Sequence, residues 1–195
     1  MLGKSSEECL REGVFGYVPQ HLNLDINFPA RAIDVVTMGL YGRLGLFRWP
    51  SKKEKEKARE YIELIGMSGH ENFPFGEMSG GEQQRISIAR ALVSNPKILI
   101  LDEPSTGIDV VGQEDFYHLL KGFQKRLGLT IIMVSHDIGA VTAYVDEIAC
   151  LNKILYYHGA PLGALDDNVL ERLYGKNVDI LIHSDVCDKC ERLRK

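Results

Sequence analysis

The rhythm of apolar positions changes twice along the chain. From Gly13 to Gln20 it reads Gly-Val-Phe-Gly-Tyr-Val-Pro-Gln. This is a short strand pattern stopped by Pro19, which cannot donate to a central ladder. Helical spacing follows at Ala32, Val35, Val36, Met38, Gly39 and Leu40, running into the segment 41–50. Ser51 is placed to cap a charged helix from Lys52 to Ile65, with Ala58, Tyr61, Ile62 and Ile65 on its apolar face and Gly66 at its end. The turn Phe73-Pro74-Phe75-Gly76 leads to another helix after Ser79, whose Ile86, Ala89, Leu92 and Val93 share one buried face. Residues from about 29 to 94 therefore read as a helical lobe.

Beyond Asn95-Pro96 the apolar positions become continuous. Ile98-Leu99-Ile100-Leu101 is the mark of a parallel strand buried on both faces, with Asp102 and Glu103 at its carboxyl end and Pro104 stopping it. A helix over about Gln113 to Leu127, with Phe116, Leu119, Leu120 and Phe123 inward, connects to a second buried strand, Thr130 to Val134. That strand ends at Ser135-His136-Asp137. Such a β-α-β unit crosses over right-handedly in nearly all cases, and ligands bind outside the carboxyl ends of its strands. Asp102, Glu103 and His136 fall there. A hairpin is expected from Ile148–Leu151 and Ile154–Tyr157 around Asn152-Lys153, then a short helix near Val169 to Tyr174 and a polar tail. The expected division is an α/β core over 13–28 and 95–160, the helical lobe over 29–94, and a terminal helix and tail over 161–195.

Composition narrows the classes. The 195 residues are 45% hydrophobic, enough for a sizeable core. The net charge is −4 and no basic stripe is visible, so no nucleic-acid partner is expected. No apolar run approaches the roughly 18–20 residues of a membrane span, and the first residues lack the apolar centre of a signal peptide. Four cysteines without a regular framework fit a reducing compartment.

The candidate chemistry sits at two places. Ser79 is a natural N-cap, and Glu82 completes an S-x-x-E capping box. The first turn of that helix offers free N–H groups and a positive dipole end, and Gly80 and Gly81 let a phosphate approach the backbone. An ordinary capped helix after a glycine turn would carry the same residues. At the strand end, Asp102 is a natural Mg²⁺ holder and Glu103 can orient an attacking water. The simpler alternative is an acidic turn that terminates the strand. His136 can reach a transferred phosphoryl group, or it is a capping histidine at the helix start Ser135-His136-Asp137.

Together these pieces resemble the nucleotide-binding subunit of an ABC transporter. Tyr17-Val18-Pro19-Gln20 is similar to its Q-loop, Met78-Ser79-Gly80-Gly81-Glu82 to its signature motif, Ile98–Glu103 to Walker B with its catalytic glutamate, Ser105-Thr106-Gly107-Ile108-Asp109 to its D-loop, and His136 to its switch histidine. The resemblance implies an α/β fold: a P-loop NTPase-like ABC ATPase core, a parallel sheet with flanking helices, plus an α-helical signature subdomain, with the N-terminal part missing. It also implies the roles. Gln20 senses Mg²⁺ and the attacking water; Asp102 holds Mg²⁺; Glu103 polarises the water; His136 contacts the γ-phosphate. Ser79, Gly80 and Gly81, with Glu82 and Asp109 beside them, bind ATP held by the opposite subunit. The implied cofactors are ATP and Mg²⁺. The implied partners are a homodimer mate or paired ATPase subunit, a transmembrane permease and, indirectly, a metal-binding solute-binding protein, at the cytoplasmic face of the membrane. The segment from Asp34 to Phe47, together with Val110-Val111-Gly112-Gln113 and Leu173-Tyr174-Gly175, resembles the branch that imports zinc, manganese or iron. Met78 stands where leucine is usual and Glu82 where glutamine is commoner.

The family's P-loop, G-x-x-x-x-G-K-[ST], belongs upstream of the Q-loop. Gly3-Lys4-Ser5-Ser6 does not supply it, since no buried strand precedes it and too little chain follows before Gln20. It reads instead as the turn before the Q-loop strand. The expectation is that this chain by itself binds ATP weakly and hydrolyses it negligibly. Cys187 and Cys190, with His183 near, have metal-ligand spacing; a solvated, reduced tail is the plainer alternative. A soluble non-transport ABC ATPase and a catalytically incomplete interaction fragment are the rival functions.

Overall fold

The computed structural model describes residues 3, 5–20, 29–44 and 48–174. The chain divides into two units, 1–134 and 135–195. The first is built on a three-stranded parallel sheet, in the order β1 (Phe15–Val18), β2 (Ile98–Asp102), β3 (Thr130–Val134). Phe15 pairs with Ile98, and Ile98 with Thr130. The central strand holds the fully buried Leu99 and Leu101, as a continuous apolar run demands. β3 departs from expectation. Among the described residues it has one strand neighbour, and its Ile132 and Val134 are 42% and 54% exposed rather than buried.

The N-terminal stretch also differs. Residues read as a simple turn open a short helix, α1 (Ser6–Arg11). The Glu8 N–H donates to Ser5 Oγ at 3.2 Å, and the Ser5 N–H donates back to the Glu8 carboxylate at 2.9 Å. This is a reciprocal cap, spelled Ser-x-x-Glu at 5–8. It brings Cys9 down onto Val14 and Ile98, with Phe15 and Ile100 packed alongside.

The helices between residues 29 and 94 form as their periodicity predicts: α2 (Ala32–Met38), α3 (Tyr41–Leu44), α4 (Lys52–Leu64) and α5 (Gly80–Leu92). Val35 and Val36 of α2, Ile62 of α4, and Ile86, Ile88 and Leu92 of α5 are essentially inaccessible. Each such side chain contributes about 1.5–3 kcal/mol of hydrophobic stabilisation. The helices α2 and α5 touch backbone to backbone at Gly39, where a Cβ would lie 2.0 Å from the Arg90 carbonyl oxygen. No other residue fits that crossing without moving one helix.

The β2-to-β3 connection is α6 (Val110–Leu127), which begins earlier than the apolar pattern indicates. The Asp109 carboxylate accepts the Gly112 N–H at 3.1 Å and fixes the start. Phe116, Leu120 and Phe123 are buried as expected, and Leu119 is half-buried. The second unit holds α7 (Ile138–Val141), an antiparallel hairpin of β4 (Ile148–Asn152) and β5 (Ile154–Gly159) turning at Lys153, and α8 (Asp167–Tyr174).

Candidate functional site

Three helices open with the same sequence device: Ser5–Glu8, Ser51–Glu54 and Ser79–Glu82 each form a reciprocal cap. Only at Ser79 do two glycines follow, and that tip borders a cleft of about 450 Å³. Ser79 donates to one oxygen of Glu82 twice, from its backbone N–H at 2.8 Å and from its hydroxyl at 2.7 Å. The Glu82 N–H returns a longer bond to Ser79 Oγ at 3.4 Å. These bonds, the side-chain one first, hold the Glu82 carboxyl below its ordinary range. The loop before the cap is pinned from inside the helix: Gln83 Nε2 donates to the carbonyls of Phe75 and Met78 at 3.1 and 3.2 Å. The half-buried Arg85 guanidinium donates to the Ile65 carbonyl at 3.2 Å, tying α5 to the end of α4.

The opposite wall is the segment between β2 and α6. Gly107, Ile108 and the cap residue Asp109 line it, with Phe116 beneath. The two walls meet closely: a Cβ on Gly80 would stand 3.1 Å from the Gly107 carbonyl oxygen. The residues that sequence reasoning grouped as ATP-binding, Ser79, Gly80, Gly81, Glu82 and Asp109, are thus all at one cleft. Arg85 and Phe116 were missed as lining residues. Their signal was present, since Arg85 lies one turn beyond Glu82 on the same helix face.

Asp102, Glu103 and Gln20 do not line that cleft. They gather at the carboxyl border of the sheet. Val18 pairs with Leu101, so Gln20 and Glu103 each lie two residues past a paired position on adjacent parallel strands. The Tyr17 hydroxyl, not singled out from sequence, donates to the Asp102 carboxylate at 3.3 Å. Lost hydration, and after it the Asp102 charge, push the Tyr17 phenol above its ordinary value. Glu103 takes a left-handed backbone, φ +47°, while its N–H donates to the Val134 carbonyl at 3.0 Å. A non-glycine residue held there costs on the order of 1–3 kcal/mol, a strain that clusters at working sites.

His136 belongs to the second unit, where it is exposed and its carbonyl accepts the Tyr174 hydroxyl at 3.0 Å. Asp137 caps α7 through the Ala140 N–H. His183, Cys187 and Cys190 lie outside the described residues. Among the described residues no group of three or more His, Cys, Asp or Glu side chains is placed to hold a metal ion, and no helix is long and apolar enough to cross a membrane. The all-oxygen donors at the sheet border, Asp102 and Gln20, suit Mg²⁺, which takes one or two carboxylates and completes its shell with phosphate and water.

Known proteins are similar to this chain in sequence and fold. The chain is 41% identical to the manganese transport system ATP-binding protein MntB of Listeria monocytogenes, over 82% of this chain and 66% of the relative. It is 40% identical to the zinc transport system ATP-binding protein TroB of Treponema pallidum, over 83% of this chain and 60% of the relative. It therefore spans about two thirds or less of the length of these curated relatives. Among solved structures, cbiO1 of Clostridium perfringens, part of the ABC transporter complex cbiONQ, superposes with a TM-score of 0.67 at 29% identity, covering 82% of this chain and 62% of that one. With the family model for ABC transporters matching residues 3–106, more than half of its length, this chain belongs to the ABC transporter family.

Proposed function

We propose that the chain is the ATP-binding, ATP-hydrolysing part of a transporter for divalent metal ions, working as one of a pair of such subunits. The observation that carries this is the separation of two half-sites. A glycine-opened helix tip and a capped loop line one cleft, while the carboxylates sit at the sheet border outside it. Such an arrangement supports a composite site, in which the tip of one subunit meets nucleotide held at the border of another.

In that site Ser79, Gly80 and Gly81 offer a hydroxyl, backbone N–H groups and the positive helix end to the γ-phosphate. Asp102 and Gln20 would hold Mg²⁺, which would supply positive charge to the nucleotide's phosphates. Glu103 orients a water and accepts its proton as the water oxygen bonds to the γ-phosphorus. The bond to the β-phosphate oxygen breaks, leaving ADP and inorganic phosphate. The partners are a second ATP-binding subunit, a membrane permease that places the pair at the cytoplasmic face of the membrane, and a solute-binding protein that delivers the metal. The names of the zinc and manganese relatives support the substrate class.

The test is ATP turnover by the assembled transporter. Glu103→Gln should lower it at least about 100-fold while ATP-driven pairing of the subunits persists. Turnover at the wild-type rate in that variant overturns the assignment. Cellular zinc and manganese contents in cells lacking and regaining the transporter test the substrate.

A further inference from the structure

The proposed phosphate grip is already occupied from within the chain. The Ser79 amide and the Ser79 hydroxyl both point their hydrogens at one Glu82 oxygen, at 2.8 and 2.7 Å. Both bonds are charge-assisted, the stronger kind. A serine hydroxyl has a single proton to give, so it cannot serve Glu82 and a phosphate oxygen at once. The carboxylate also lies on the first turn of α5, where an incoming phosphate would feel its like charge.

We propose that Glu82 stands in for the γ-phosphate in the nucleotide-free protein, so that ATP must displace it from Ser79 and Glu82 thereby sets the ATP concentration at which two subunits close. This rests on the composite-site function above and deepens it. The device is local. The other charged side chains at the cleft are Arg85, committed to the Ile65 carbonyl at 3.2 Å, and Asp109, committed to the Gly112 N–H at 3.1 Å. The pull of the Ser79 bonds on the Glu82 titration agrees with a carboxylate that is held rather than loose. Glutamine at this position keeps the reciprocal cap but gives up the charge, so Glu82→Gln isolates the effect.

The experiment titrates closure of the two ATP-binding subunits of the assembled transporter with AMP-PNP, a non-hydrolysable ATP analogue, and separately with ADP, read by the distance between spin labels on the two subunits. Glu82→Gln should lower the half-maximal AMP-PNP concentration by about tenfold, the difference between a charge-assisted and a neutral bond. The ADP titration should not move, since ADP brings no γ-phosphate. In a Ser79→Ala background the gain from Glu82→Gln should shrink several-fold. An unchanged AMP-PNP titration, or an equal shift with AMP-PNP and ADP, overturns the proposal while leaving the composite site intact. No AMP-PNP-driven closure of the assembled transporter, in wild type or any variant, overturns the functional reading, and this inference with it.

Discussion

The strands β2 and β3 carry almost the same kind of sequence and have opposite fates. Both are short, mostly apolar runs, Ile-Leu-Ile-Leu against Thr-Ile-Ile-Met-Val. β2 lies between two neighbours, and its Leu99 and Leu101 are sealed; β3 lies at the sheet border with Ile132 and Val134 in contact with solvent. Hydrophobicity along a strand thus reports the capacity to be buried, and what packs over its faces decides whether it is used: β1 also has one strand neighbour among the described residues, yet its Val18 is fully buried. The carboxyl ends differ as well. β2 runs straight into Asp102 and the strained Glu103, whereas β3 serves that end by lending the Val134 carbonyl to the Glu103 N–H.

The largest test of the contrast is truncation. Leu99→Ala in β2 should cost about 3–4 kcal/mol and Ile132→Ala in β3 less than about 1 kcal/mol, read by urea unfolding. Equal losses would mean that β3 is as buried as β2. Next comes the strained end. Glu103→Asn should raise stability by about 1 kcal/mol, because asparagine tolerates the left-handed backbone better, while removing the carboxylate and with it turnover. A lower melting temperature in that variant would show that Glu103 is held in place by favourable contacts that outweigh its strain. Smaller still, Val134→Lys should change stability by less than about 0.5 kcal/mol, as for other exposed positions, and should reduce edge-to-edge association on light scattering.

The finest test is spectroscopic. Tyr17 has a raised value in the folded chain, so the fold favours its neutral phenol. Whatever stability this contributes is fully present below the ordinary value of 10.0 and is lost as pH rises through the folded value. Asp102→Asn should lower the pH at which Tyr17 ionises, followed by absorbance of tyrosinate. An unmoved titration would show that the Tyr17–Asp102 contact is not made in solution.

Much of this was legible in the residues. Ser79 and Glu82 three apart announce a cap, and the structure forms it; Ile98 to Leu101 announces a buried strand, and it is central. The helical lobe follows from spacing because Val35, Ile62 and Ile86 each have one face to bury. What was not legible depends on partners far away in sequence. The exposure of β3 depends on what covers its faces, and no local pattern encodes that. The hydroxyl of Tyr17 finds Asp102 across 85 positions. α1 was overlooked although Ser5 and Glu8 spell the same cap, because six residues give too little periodicity to register.

The close crossing at Gly39 has a mechanical corollary. With no side chain between them, α2 and α5 lie backbone against backbone, and any Cβ at Gly39 would force them apart at the Arg90 carbonyl. From Arg90 to Gly80 is ten residues of helix, about 15 Å. If α2 and α5 move as one body, the glycine pair at the far tip of α5 moves with them.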